Sequence, residues 1–283
     1  MGEFILDKSF SPPSTVDVEI AHYNPIGGRP VANKQQFANY EDKKLRIHPK
    51  GEVIRFGVIG DTHLCSKYQQ LTFLKWFYEF VAKHKGEFVL HAGDIVDGEH
   101  VYRGQQYETF LQGFDDQLGY TVENYPNGLP TYAITGNHCL SHFVRGGGDI
   151  GKAIAQQRPD FHYLGQLGAY VYINDLKVYI AHGMGSPAYA LSYKVQKMIE
   201  AFSSENKPNM LIVGHWHSAF QAFIRNVFAM TPASFQGQTP FLRRMAIFPV
   251  VGGYFVEIVP DRKGIHRFKY EFLPLYKPRS HDY

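Results

Sequence analysis

Cysteine is scarce in this chain: Cys65 and Cys139 are the only two among 283 residues. Two thiols exclude a disulfide framework and fit a reducing compartment. Long apolar runs are missing as well. No stretch approaches the ~20 uncharged apolar residues that a membrane span needs. The first residues, MGEFILDKSF, offer neither a basic leader nor the serine or threonine that myristoylation requires. The expected location is therefore cytoplasmic, with no membrane partner. A strong charge imbalance is also absent, since the net charge of +3 is too small to announce a nucleic-acid binder. That charge is unevenly spread: residues 222–283 carry 9 Lys and Arg against 4 Asp and Glu, whereas residues 51–221 carry 13 against 16. A basic tail of this kind is compatible with a polyanionic substrate. What the chain does have is 44% hydrophobic and 15% aromatic content, enough for one substantial core in one elaborated domain.

Residues 1–50 are rich in Pro, Asn and Gly, show no sustained period and are expected to form an irregular N-terminal arm. From residue 51 short apolar runs alternate with amphipathic segments, the pattern of βα units around a buried sheet. Strands are predicted at 53–61, 87–94 and 129–136, and helices at 70–86, 106–118 and 148–158, the last capped by Asp149. A hairpin through Asn174-Asp175 is predicted over 169–182, a helix over 192–205 and a buried strand over 209–215. The segment 222–283 contains a further predicted hairpin around PDRKG and is expected to complete the domain that runs from 51 to 283. The architecture this implies is a mixed, layered α/β domain.

The polar residues fall where these strands end. In order they are GDTH with Asp61 and His63, GDIVD with Asp94 and Asp97, GNH with Asn137 and His138, the lone His182, and GHWH with His215 and His217. Loops at the carboxyl ends of strands meet on one edge of an open α/β sheet, where ligands bind. Asp61/His63 and His215/His217 are i, i+2 pairs, and in extended backbone both members of such a pair project to one side. Carboxylates, imidazoles and an amide oxygen suit divalent Mn, Fe, Zn, Co or Ni, with Mn the first expectation, and need no thiolate. The groups are too many for one ion. They point to two metals ~3.5–4 Å apart that share a bridging carboxylate, an arrangement suited to in-line displacement at phosphorus by a hydroxide that the two cations make available near neutral pH.

The ordered series D-x-H, G-D-x-x-D, G-N-H, H and G-H-x-H resembles the calcineurin-like metallophosphoesterase superfamily over residues 53–220. The resemblance implies an α/β (α+β layered) fold, a two-sheet mixed β-sandwich flanked by helices, with a dinuclear metal site at the carboxyl edge of the strands. It implies that Asp61, His63 and His217 hold one metal and Asn137, His182 and His215 the other, with Asp94 bridging. His138 matches the catalytic histidine of that superfamily, and Asp97 the residue that hydrogen-bonds it. The superfamily has Asp or Glu where this chain has Cys139, which is expected to be a buried small residue rather than a nucleophile or a ligand. His142, just after GNH, and Arg145, ahead of GGGD and a helix start, are the candidate substrate contacts. His91, inside an apolar strand, is expected to be a core residue.

The segment GDIVDGEHVYRGQQYE (93–108) resembles the nuclease-bearing small subunit of archaeal D-family DNA polymerases, where a G-D-x-V-D-G stretch runs on to a Tyr and a Gly-Gln. That resemblance implies exonuclease-type chemistry on DNA, with single-stranded DNA as the partner and Tyr102, Tyr107, Trp216 and Phe235 available to stack bases. The alternatives are a phosphomonoesterase acting on a small molecule or protein, and a non-catalytic scaffold that keeps its metal site.

Overall fold

The computed structural model describes residues 16–21, 42–49, 51–261 and 264–283. Two mixed sheets pack face to face. Numbered along the chain, the first is seven-stranded, in the order β1 (Val16–Ala21), β2 (Asp42–Ile47), β7 (Gly168–Ile173), β8 (Leu176–His182), β9 (Met210–Gly214), β11 (Val227–Pro232) and β10 (Ala219–Ile224). The second is six-stranded, in the order β13 (Gly264–Pro274), β12 (Gly252–Asp261), β3 (Ile54–Ile59), β4 (Phe88–His91), β5 (Thr131–Thr135) and β6 (Phe161–Gln166). Among the described residues five helices cover them or their connections: α1 (Leu71–Lys83), α2 (Phe114–Asn124), α3 (Asn137–Gly146), α4 (Ile150–Gln157) and α5 (Ser192–Ala201). A short α6 (Pro240–Arg244) lies near the carboxyl edge of the strands.

The central strands read as nearly unbroken apolar runs because both of their faces are buried. Their alternation divides them between layers. Phe56, Val58, Phe88, Leu90, Tyr132 and Ile134 enter the core between the sheets, with Val178, Ile180, Met210 and Ile212 opposite. The intervening Ile59, Val89 and Ala133 pack under the helices with Leu74, Phe77 and Ile154, and Tyr179, Leu211 and Val213 pack with Val195 and Ile199 of α5. The layered α/β sandwich expected from the sequence is thus the observed fold.

Several elements differ in detail. The expected helix at 106–118 is instead a 3₁₀ turn at Gln105–Tyr107 followed by α2. The break falls at Gly113, whose φ of 90° no helix accepts, and Tyr125-Pro126 closes α2. Strand β6 was not anticipated, because a register shift beside Ala133/Ile134 and Gly165 (φ 135°) spoil its alternation. Within the arm expected to be irregular, β1 pairs with β2, and β2 runs parallel to β7 at the edge of the first sheet; residues 1–15, 22–41 and 50 lie outside the described residues. The segment 222–283 contributes β11 to the first sheet and the β12–β13 hairpin to the second. No helix among the described residues is long and apolar enough to cross a membrane.

Candidate metal centre

Strand register brings the polar loops to one level. Ile59 pairs with His91 across β3 and β4, and the pairing continues past the strand ends as Asp61 donates its N–H to Gly93 O (2.8 Å) and His63 donates to Asp94 O (3.0 Å). In the other sheet His182 stands opposite Gly214, directly before His215. Asp61, Asp94 and Asn137 follow strands of the second sheet, His182 ends a strand of the first, and His215 follows the end of another. The groups therefore converge at the seam between two sheets, not along the edge of one.

Convergence does not come from extended backbone. Asp61 (φ 53°), His63 (44°), Asp94 (53°), His215 (90°) and His217 (48°) all take left-handed conformations, each costing on the order of 1–3 kcal/mol. Hydrogen bonds hold the loops in that state. Both carboxylate oxygens of Asp61 accept the His215 N–H, at 2.9 and 3.0 Å. His91, fully buried as expected, accepts the Gly93 N–H on Nδ1 (3.1 Å), which leaves Nε2 to donate to Thr62 Oγ1 (3.1 Å), while Thr62 donates to Ile95 O (2.9 Å). Burial pushes the His91 pKa down to about 3, keeping it neutral in this role. The motif glycines are required by space. A Cβ on Gly93 (φ 95°) would sit 2.5 Å from His182 Nδ1, and one on Gly136 would strike Asp94 Oδ1 and His182.

Among the described residues three groups of candidate ligands result, each with donor atoms within 4.8 Å of one another: Asp61/His63/His217, Asp94/His182/His215, and His63/Asp97/His138, the last already joined by hydrogen bonds from both imidazoles to Asp97. His63 donates from Nδ1 to Asp97 Oδ1 (3.0 Å), so its Nε2 lone pair faces His217 Nε2 at 3.2 Å and Asp61 Oδ1 and Asp94 Oδ2 at 4.0 Å. His182 donates from Nδ1 to Ala92 O (2.8 Å), and its Nε2 meets Asn137 Oδ1 at 3.1 Å and Asp94 Oδ2 at 3.0 Å. His215 donates from Nε2 to Gly185 O (3.1 Å). Asp94 Oδ2 is thus shared between the groups, while Oδ1 accepts the His138 N–H (2.8 Å). These are the partners that fix tautomer and ring orientation in metal-binding histidines.

The electrostatics fit cations. Asp61, Asp94 and Asp97 are essentially inaccessible to solvent, and buried carboxylates need compensating charge. Burial alone would raise the Asp94 pKa, but His182 and His138 hold it well below the carboxylate range. Burial likewise opposes protonation of His182, yet Asp94 and Asp61 raise its pKa to about 9, so the protein without metal draws a proton into the space between them. Burial and neighbouring His138 lower the His63 pKa, leaving the neutral imidazole that a metal requires. His217 Nδ1 is buried with no hydrogen-bond partner among the described residues. Imidazole nitrogens facing one another and buried carboxylates are what a pair of divalent ions would satisfy.

The remaining candidates divide. His138 donates from Nδ1 to the main-chain carbonyl of Asp97 (2.6 Å), whereas the Asp97 carboxylate is 3.7 Å away and bonds His63 instead. The expected Asp97–His138 link therefore runs through the backbone, because α3 begins at Asn137 and brings the His138 ring over the Asp97 peptide. His142 does not face a substrate loop. It is buried one helical turn on, with Nε2 3.1 Å from Gln117 Oε1 and its ring against Phe114. Arg145 projects into solvent from the last turn of α3, not from the start of α4, which Asp149 caps as predicted by accepting the Lys152 N–H. Cys139 is buried, accepts the Ile95 N–H (3.2 Å), and burial pushes its pKa up to about 12. Of the aromatics proposed to stack bases, Phe235 is buried under α1 against Phe73 and Phe77, and Trp216 is buried apart from the edge it shows to the cleft.

Two glutamines escaped the sequence reading. Gln105 donates to Asp97 O (2.7 Å) and Asp97 Oδ2 (3.2 Å), and Gln236 donates to Asp97 Oδ1 (3.1 Å) and Ser66 Oγ (2.9 Å). Together they hold the carboxylate that orients His63. The Gly-Gln of the 93–108 segment was the one available signal for Gln105.

A cleft of about 220 Å³ opens on these groups. Its lining combines His63, Asp94, Asn137, His138, His215 and His217 with the apolar Tyr102, Trp216, Phe241, Met245 and Ile247, and none of its lining residues is Lys or Arg.

The sequence model of calcineurin-like phosphoesterases matches residues 54–219. The DNA polymerase II small subunit of Archaeoglobus fulgidus is 24% identical in an alignment that covers 69% of this chain and 49% of that protein, so the chain spans about half the length of this curated relative. Among solved structures, an archaeal phosphodiesterase superposes on 78% of this chain and 100% of its own, with TM-score 0.46 and 15% identity. A putative 5′-nucleotidase from Staphylococcus aureus covers 78% and 54%, with TM-score 0.44 and 11% identity.

Proposed function

We infer that this chain, which belongs to the calcineurin-like phosphoesterase family of metal-dependent phosphoester hydrolases, cleaves phosphodiesters, with a DNA strand as its substrate. The observation that carries the reading is the composition of the cleft. Imidazoles and carboxylates form one part of it and apolar rings the rest, with no Lys or Arg among its lining residues. A terminal phosphate monoester is close to a dianion and is usually met by Arg or Lys as well as by metals. A diester carries a single charge and bears organic groups on both sides, which apolar walls accommodate. The relative from Archaeoglobus fulgidus, a DNA polymerase subunit, favours DNA among the diesters.

In this reading Asp61, His63 and His217 would hold one divalent ion and Asn137, His182 and His215 the other, with Asp94 shared between them. When bound, the two ions supply a nucleophile at neutral pH and neutralise charge on the phosphoryl oxygens. The protein's own groups do the rest. Asp97, braced by Gln105 and Gln236, fixes the tautomer of His63. The Asp97 carbonyl accepts a hydrogen bond from His138 Nδ1, which leaves Nε2 as the nitrogen able to pass a proton to the leaving oxygen. Asp94 Oδ1, by accepting the His138 N–H, ties that histidine to the shared carboxylate. General-acid action of this kind contributes about 10²- to 10⁴-fold.

The test is hydrolysis of bis(4-nitrophenyl) phosphate and 4-nitrophenyl phosphate with Mn(II), followed by end-labelled single-stranded DNA. Turnover of the diester and of DNA, both lost in His138→Ala, is the expected result. Preference for the monoester would move the protein to the phosphomonoesterases. Two bound ions with no hydrolysis of any of the three would identify a scaffold.

A further inference from the structure

Beside His138 the cleft carries a pair of rings whose placement the chemistry described so far does not use. Tyr102 and Phe241 stack with centroids 4.0 Å apart and planes at 20°, and both line the cleft. The Tyr102 ring meets the His138 ring edge-on at 6.2 Å. The pair joins distant parts of the chain, and one buried side chain fixes both members. Glu108 Oε2 accepts the Tyr102 hydroxyl proton (2.8 Å), and Glu108 Oε1 accepts the Phe241 N–H (3.0 Å). Burial, then the carboxylates of Asp97 and Glu108, push the Tyr102 pKa up, so the phenol keeps the proton it donates. The Arg244 guanidinium lies 5.7 Å from the centre of the Phe241 ring. Thr239 caps α6 by accepting the Leu242 N–H (3.1 Å), which orients the turn that carries Phe241.

A core packing role would not require a glutamate: burying Glu108 to tie one phenol and one main-chain N–H is costly unless the orientation of the rings matters. We propose that Tyr102 and Phe241, set by Glu108, form a stacking subsite for the nucleobase attached to the phosphate that His138 serves. This rests on the phosphodiesterase reading for its substrate but not for its test. Every base has a π-face, so such a subsite holds bases of any sequence and rejects a bare sugar phosphate. Glu108 is a positioning residue here, and Tyr102 and Phe241 are the contacts.

The experiment measures binding by calorimetry to the Mn(II)-loaded full chain, using thymidine 5′-monophosphate, thymidine 3′-monophosphate and deoxyribose 5-phosphate. The wild type is expected to prefer at least one thymidine nucleotide over the sugar phosphate by about tenfold. Tyr102→Ala and, independently, Phe241→Ala should bring that ratio near unity. Tyr102→Phe, which keeps the ring, should retain most of the preference, and Glu108→Ala should lose part of it. The proposal is overturned if the wild type binds sugar phosphate and nucleotide alike, or if Tyr102→Ala keeps the full ratio. Because binding alone is read, a protein that cleaves no diester yet loses base preference in Tyr102→Ala would refute the diesterase reading and sustain the subsite.

Discussion

His63 is fixed by a side chain that other side chains brace, whereas His182 and His215 are fixed by main-chain carbonyls. His63 leans on Asp97, and Asp97 on Gln105 and Gln236. His182 donates to Ala92 O and His215 to Gly185 O. The first arrangement is wholly buried and can be dismantled by substitution; the second is partly exposed at His215 and Asn137, and the carbonyls that accept from His182 Nδ1 and His215 Nε2 belong to the main chain, which substitution does not remove. The two halves of the centre should therefore respond differently to mutation, with Asp94 and His138 at their junction.

The largest effect is expected at the shared carboxylate. In Asp94→Asn the amide can no longer offer charge to both groups, and metal analysis should find both ions depleted and activity at background. Two fully retained ions would refute the bridging assignment. His138→Ala should lower turnover about 10²- to 10⁴-fold while both ions stay bound, since His138 meets the centre only through its N–H and ring. Loss of metal in that variant would place His138 among the ligands.

Asp97→Asn separates the halves. The amide can still accept from His63 but no longer offers charge, and one of the two ions should bind about 10- to 100-fold more weakly, as seen by titrating Mn(II) into the metal-free protein. Equal weakening of both sites would mean the centre behaves as one unit. The other half is probed by pH. The folded pKa of His182 lies near 9, above its ordinary 6.5, so the metal-free protein gains stability that is fully present below pH 6.5 and lost as pH rises through about 9. A shift of that size corresponds to about 3 kcal/mol. Thermal unfolding without metal should fall across that window, and saturating Mn(II), which takes the place of the proton, should flatten the profile.

Much of this was legible in the sequence because the polar groups interrupt apolar strands. The runs at 53–61, 87–94, 129–136 and 209–215 alternate between two buried layers, and each ends in a Gly followed by a candidate ligand. His91 was legible as core from its place inside such a run. The left-handed backbone at Asp61, His63, His215 and His217 was not, because spacing carries no φ, and the i, i+2 pairs converge through two positive-φ residues rather than an extended segment. Nor was the difference between His138 and His142. They lie on one helix, but its first residue is itself a candidate ligand, so no apolar period marks where it begins. Gln236 touches Asp97 across 139 positions of chain, a contact only the folded sandwich creates.

Cys139 gives the smallest expected effect and the finest test of the comparison. It follows Asn137 and His138 directly, yet it belongs to neither half of the centre: its thiol is buried in the layer beneath the helices and accepts the N–H of Ile95, next to Asp94. With a pKa near 12 it is a thiol, not a thiolate, at any working pH, and a thiol is a poor nucleophile and no metal ligand. Cys139→Ala removes one weak hydrogen bond and a small buried volume, so a loss of about 1 kcal/mol in stability is expected, with activity largely kept and both ions bound. If activity instead fell as far as in His138→Ala while the ions stayed, the contact to Ile95 would be setting the position of Asp94, and the junction of the two halves would extend through the helix that carries His138.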